Sequence, residues 1–346
     1  VQTKGISKQN FDRLPEVLAR AGRTVIAPVR DGEVVTFGTI GPDTPICLDE
    51  INTRLSIKDR FFPRTEPLLT FRRTESGIEM SDPDPTPDET IILGARGCDA
   101  ASLLALDALF NWDFRDEAYN HRRENTTVIS IACNNCDACC FCTSVGGSPH
   151  NTAGSDIMLS KTRDGGYLVE ILTQKGEALA AELAGLLSDA PDETLPYAEV
   201  PVKFDAQKVR SALEGNFDSP LWAELARTCL SCGCCTYVCP NCHCFDMHDE
   251  AGKSGGARIR TWDSCQFPLF TKHTSGHNPR PTQASRWRQR IQHKFNYYPQ
   301  KFNCVSCVGC GRCIRLCPVG IDISEHLARI ENEATELPVN HPNDNF

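Results

Sequence analysis

The sequence predicts an α+β protein. A mixed α/β domain spans residues 1–225, a cysteine-dense domain spans 226–335 with a long insert at 240–306, and a tail follows at 336–346. Three observations point there. Apolar residues fall at strand or helix spacing through the first part of the chain, with a strand–helix–strand succession around residues 90–132. The 20 cysteines among 346 residues are bunched, not spread. Hydrophobic residues make up 40%, enough for a sizeable core shared by two or three domains.

Each element has its own signal. Residues 11–21, FDRLPEVLARA, read as one short helix. TVIAPVRDGEVVTFGTI gives two strands joined at Asp31-Gly32, a turn dipeptide. FFPRTEPLL is broken by proline, and SDPDPTPDE at 81–89 is a polar loop that neither a helix interior nor a central strand tolerates. The strand IILG then leads through Arg96-Gly97-Cys98-Asp99 into a helix with Leu103, Leu104, Leu106, Leu109 and Phe110 at helical spacing, and TVISIAC makes a second strand. Such a βαβ-like unit sets Cys98 and the cysteines from Cys133 onward at one carboxyl edge, where these sheets hold ligands. SDIMLSKTRDGGYLVEILT is a hairpin turning at 164–166. KGEALAAELAGLL and SPLWAELA are helices, and ISEHLARIENEA closes the chain as a helix capped by Ser324.

Residues 229–244, CLSCGCCTYVCPNCHC, hold seven cysteines. Within them Cys229, Cys232, Cys235 and Cys239 are spaced two, two and three residues apart and end in Pro240. Cys307, Cys310, Cys313 and Cys317 repeat the spacing and end in Pro318. This is the ferredoxin-like pattern for two [4Fe–4S] clusters, in which each run's fourth cysteine serves the other run's cluster. One cluster then takes Cys229, Cys232, Cys235 and Cys317; the other takes Cys307, Cys310, Cys313 and Cys239. Paired CxxC units also make zinc sites, but two complete four-cysteine runs closed by Cys-Pro are a more specific signal. Cys304, Cys307 and Cys310 form a second legal triple; only the triple from Cys307 reaches Cys317 by the three-residue step, so Cys234 and Cys304 read as bystanders.

The knot CNNCDACCFC, with Cys98, offers ligands for a third [4Fe–4S] cluster in the N-terminal domain, drawn from Cys98, Cys133, Cys136, Cys139, Cys140 and Cys142. Cys242, Cys244 and Cys265 form a partial set. They hold a fourth cluster with one outside donor or an open iron, or they are packed core cysteines.

Several classes are disfavoured. A disulfide scaffold fits badly, because residues 1–130 and 143–228 together hold only two cysteines. A net charge of −9 argues against nucleic acid. The basic stretch RPTQASRWRQRIQHK at 280–294 reads as the polar side of a helix or a docking face. No apolar run is long enough for a membrane span and the first residues show no secretion signal, so a cytoplasmic location is expected. No G-x-G-x-x-G, H-E-x-x-H or G-x-S-x-G motif is present. His243 is a metal or potential-tuning neighbour or a hydrogen-bonded histidine; His248, His273, His277 and His293 show no catalytic pattern.

The chain resembles an iron–sulfur electron-transfer subunit family that includes the A subunit of anaerobic sulfite reductase and the beta subunit of cytoplasmic sulfhydrogenase-type nickel–iron hydrogenases. The segments that carry the likeness include FPRTEPLL, GARGCD, CFCTSVGGSP, CLSCGCCTYVCPNCHCFD, RTWDSCQFPLFTKHTSGHNPRP and CVGCGRCIRLCPVGID. The resemblance implies a relay between a flavin- and NAD(P)-binding diaphorase-type subunit and a catalytic subunit of hydrogenase or sulfite reductase type. It also implies that Cys98, Cys133, Cys140 and Cys142 ligate the third cluster. The chain departs from the family in its extra Cys136 and Cys139 and in Gly97, where proline is usual. Two other function classes compete with a relay subunit: a reductase with its own substrate site near Cys242, Cys244 and Cys265, and a zinc-based structural adaptor.

Overall fold

A computed structural model describes residues 1–20, 22–82 and 89–336. Residues 83–88 of the proline-rich loop and 337–346 of the tail lie outside them. The first part of the chain builds a seven-stranded sheet from β1 (Gln2–Ile6), β2 (Thr24–Asp31), β3 (Val34–Thr39), β6 (Thr90–Arg96), β7 (Thr126–Ile131), β8 (Ile157–Lys161) and β9 (Tyr167–Ile171). Their order is β1-β9-β8-β7-β6-β2-β3, with β2, β6, β7 and β8 parallel. The remaining strands, β4 (Thr65–Thr74), β5 (Gly77–Ser81), β10 (Phe245–Ala251) and β11 (Gly255–Trp262), form a second, antiparallel sheet in the order β10-β11-β4-β5.

The parallel strands are apolar on both faces because helices cover both. Ile91, Leu93, Ile129, Ile131, Ile157 and Leu159 face one core, closed by the N-terminal helices and Gln174–Glu182. Ile92 and Val128 face the other, against Leu103 and Leu106 of the helix Gly97–Phe110. That helix follows β6 directly, so the βαβ unit forms as the periodicity requires. Cys98 at its first turn and Cys133 just past β7 then lie at the same edge of the sheet.

Three expectations need correction, and one helix was not expected. The helix expected over 11–21 is two helices, Lys8–Asp12 and Leu14–Arg20. The proline-broken stretch at 61–69 contributes to β4, where Pro67 faces a register shift in β11 and lies outside the segment paired with β5, so its missing N–H disrupts no ladder. The closing helix, Ile323–Glu336, is capped by Asp322, whose Oδ1 accepts from the Ser324 N–H at 2.7 Å and from the Ser324 hydroxyl at 2.5 Å. A helix at Ala206–Gly215, capped by Asp205, goes unannounced in the sequence.

The antiparallel sheet fastens the insert onto the first part of the chain. Arg260 of β11 and Glu66 of β4 are both buried and bond at 2.8 Å, with Asp116 and Arg122 completing the group. The C-terminal region is helix-rich. Its core joins Val209, Leu213, Trp222, Trp287, Ile291, Phe295, Ile323 and Leu327, and Cys229, Cys235, Cys307, Cys313 and Cys317 pack against it.

Candidate iron–sulfur sites

The two complete runs are interleaved. Cys229, Cys232 and Cys235 line one cavity together with Cys317 of the other run, over a floor of Trp287, Ile321 and Ile323. Cys313 and Cys234 also reach this wall. In the reciprocal direction, buried Cys239 interacts electrostatically with Cys307, Cys310 and Cys313. The structure therefore places the two runs side by side, with Cys313 also at the first cavity and Cys239 also near Cys235. Gln283 donates to Cys229 Sγ at 2.9 Å, and Lys294 donates to Cys239 Sγ at 3.3 Å. Of the two bystanders, Cys234 donates its thiol to the Leu316 carbonyl at 3.2 Å. Cys304 shares a different cavity with Cys98, Cys142 and Cys307.

The N-terminal cysteines gather at the sheet edge. Cys98 interacts with Cys133, and Cys142 with both Cys133 and Cys140. Cys136 donates its thiol to the Glu199 carbonyl at 3.3 Å. Burial pushes Cys140 and Cys142 up to about 11, and it does the same to Cys235 and Cys307. Such thiols are poor nucleophiles and weak acids, and they become thiolates when a metal takes the proton's place. Sets of gathered, mostly part-buried thiols fit iron–sulfur ligation better than free-thiol chemistry. Among the described residues no three His, Cys, Asp or Glu side chains meet closely enough for a single metal ion.

The first knot is seated directly on the second run. The Phe141 N–H donates to the Gly309 carbonyl at 2.9 Å, and Phe141 joins the C-terminal core. Gly309 and Gly311 adopt φ of +63° and +74°. A Cβ on Gly309 would come within 2.5 Å of Cys142 Cα, and one on Gly311 within 2.6 Å of the Cys139 carbonyl oxygen, so glycine alone permits the contact. Two arginines of the second run complete it. Arg315 bonds Asp137 at 2.5 and 2.7 Å and Cys140 Sγ at 3.2 Å. Arg312, fully buried, bonds both Asp99 carboxylate oxygens, at 2.6 and 2.9 Å, and Thr53.

Cys242, Cys244 and Cys265 line a further cavity, Cys242 lying beside Cys239 and Cys244 beside Cys265. The basic stretch at 280–294 is neither a solvated helix face nor an exposed docking face along its whole length. In the helix Gln283–Gln292 and just beyond it, Arg286, Arg290 and Lys294 are buried, and the last two reach cysteine sulfur. The signal was available: basic residues recur at 286, 290 and 294, which places them on one helix face. His243 is half-buried, bonds the Asn241 carbonyl through Nδ1 at 2.9 Å, and is driven by desolvation down to about 3, so it stays neutral.

Residues 228–321 match the family model of a 4Fe-4S dicluster domain. Over 323 residues the chain is 32% identical to sulfhydrogenase 2 subunit beta of Pyrococcus furiosus, covering 90% of this chain and 92% of that one. The chain belongs to the sulfhydrogenase beta-subunit family. No solved structure matches it. As a member of that family it is an iron–sulfur electron-transfer subunit, and the interleaved runs are its dicluster domain. Among the described residues no helix is long and apolar enough to cross a membrane.

Proposed function

We propose that this chain relays electrons through three [4Fe–4S] clusters inside an oxidoreductase complex of the nickel–iron hydrogenase type. It would receive or deliver them at a flavin- and NAD(P)-binding diaphorase-type subunit and at a catalytic subunit, in the reducing environment of the cytoplasm. The observation that carries the reading is the reciprocal gathering of Cys229, Cys232, Cys235 and Cys317 and of Cys239, Cys307, Cys310 and Cys313, with a third set packed on the second run. When bound, each cluster supplies a one-electron carrier.

The side chains do the rest. Cys98, Cys133, Cys140 and Cys142 would hold the third cluster at the sheet edge, and the Gly309 and Gly311 contacts keep that edge against the dicluster domain. Short separation is what electron transfer requires, and it is built from backbone contact and not from a flexible linker. Lys294 and Arg315 place positive charge on Cys239 and Cys140, which favours the more negative, reduced state of whatever these sulfurs bind. Trp287, Ile321 and Ile323 give the first run an apolar floor.

Iron and acid-labile sulfide analysis of the anaerobically purified chain tests the cluster number. At least about twelve of each per chain support three clusters, and about eight remove the third. Cys239→Ser tests the exchange of ligands: it should perturb the cluster of Cys307, Cys310 and Cys313 and leave the cysteine set of the other intact. Reconstitution with the two partner subunits tests the relay, since transfer between them should require this chain.

A further inference from the structure

The cavity of Cys242, Cys244 and Cys265 has a volume of about 280 Å³ and is walled from several stretches of the insert. Its charged lining is entirely cationic among the described residues, from Arg280, Arg290 and Lys294. Arg290 and Lys294 are 2% and 3% exposed. They bond to sulfur and to backbone carbonyls: Arg290 Nη1 lies 3.2 Å from Cys242 Sγ and its Nη2 2.8 Å from the Cys235 carbonyl, and Lys294 lies 2.7 Å from the Ser306 carbonyl. The Arg290 Nε is buried with no hydrogen-bond partner. Close by, buried Lys58 bonds the Cys242 carbonyl at 2.9 Å and sits 3.6 Å over the Trp262 ring.

Lys294 is answered by Cys239 Sγ of the dicluster domain, whereas Arg290 meets only the Cys242 sulfur and the Cys235 carbonyl. Were Cys242 a neutral core thiol, the buried Arg290 guanidinium would have no counter-charge of its own there, an arrangement that is strongly disfavoured. Thiolates on an iron–sulfur core would supply the missing negative charge and an acceptor for the orphaned Arg290 N–H. We propose that Cys242, Cys244 and Cys265, which line this cavity together, hold an additional four-iron cluster with one iron that no cysteine ligates. Arg290 is its counter-charge. Because Arg290 also lines the cavity of Cys229, Cys232 and Cys317, it stands between the new site and the dicluster domain. The inference shares the iron–sulfur reading of the chain but uses none of the twelve cysteines assigned to the relay above.

The test compares the full-length chain, purified without oxygen, with a Cys244→Ser/Cys265→Ser double variant and with Cys98→Ser. The double variant should lose about four iron and four sulfide per chain while keeping the signals of the dicluster domain. Equal iron in the double variant and the wild type overturns the proposal. Loss in Cys98→Ser alone keeps the three-cluster relay and overturns only the additional site; loss in the double variant alone does the reverse. Should the double variant not fold, 57Fe Mössbauer spectra of the wild type decide the matter. One cluster should contain an iron with a non-cysteine ligand, and spectra showing only four-cysteine clusters refute it.

Discussion

Asp99→Ala should be among the most damaging single substitutions outside the cysteines. Asp99 and Arg312 are each about 1% exposed in their side chains, and their two contacts of 2.6 and 2.9 Å join the turn carrying Cys98 to the turn carrying Cys310 and Cys313. Arg312 keeps its bonds to Thr53, at 2.8 and 3.0 Å, so it cannot swing out to water when the carboxylate is removed. Leaving such a charge uncompensated costs about 3–5 kcal/mol. At about 2.1 cal/mol/K per residue, a cooperative unit of 346 residues would fall in Tm by roughly 4–7 °C. Removing both partners with apolar groups, as in Asp99→Ala with Arg312→Met, should recover most of the loss, because the penalty comes from the stranded charge. The assay is anaerobic thermal unfolding of the wild type, both single variants and the double. A fall under about 1 °C for Asp99→Ala, or a double variant that loses the sum of the singles, would refute the reasoning.

Three other outcomes are expected. Lys294→Met removes the cation 3.3 Å from Cys239 Sγ, so redox titration should show the cluster served by Cys239 moving to a more negative midpoint potential, with the first-knot cluster unmoved. Gly309→Ala places a Cβ against Cys142 at a φ of +63°, and it should lower Tm and the iron retained by the N-terminal site, while Gly320→Ala, also at positive φ but with open space around it, should lower Tm only. His326 lies against Trp287 with its Nδ1 unpartnered, and burial, aided by Arg329, lowers it from 6.5 to about 4. The unfolded chain therefore takes the proton first as pH falls: this contribution is complete above about pH 6.5 and is lost towards pH 4, by about 2–3 kcal/mol, and His326→Gln should flatten that slope in denaturant titrations.

The chemistry was more legible in the sequence than its surroundings. Cysteine spacing is a local property, so the two runs and the βαβ edge bearing Cys98 and Cys133 could be read directly. Pairing between distant segments has no local signature. Nothing in TEPLLTFRRT announces that it will lie beside GGARIRTW, and a strand containing Pro67 looks unpromising until the register shift in β11 is seen. The basic helix was misjudged for a related reason. Charges at 286, 290 and 294 normally mark a wet face, and only the thiols gathered opposite make that face an interior one. At the helix start, Asp322 and Ser324 are both capping residue types two positions apart, and the local geometry selected the aspartate.

Pre-steady-state kinetics of the assembled complex test the relay most directly. With the diaphorase-type partner supplying electrons, the clusters of this chain should be reduced, and then reoxidised by the catalytic subunit, at least as fast as the complex turns over. Clusters that remain oxidised through turnover, or a complex that turns over equally well without this chain, would contradict the account.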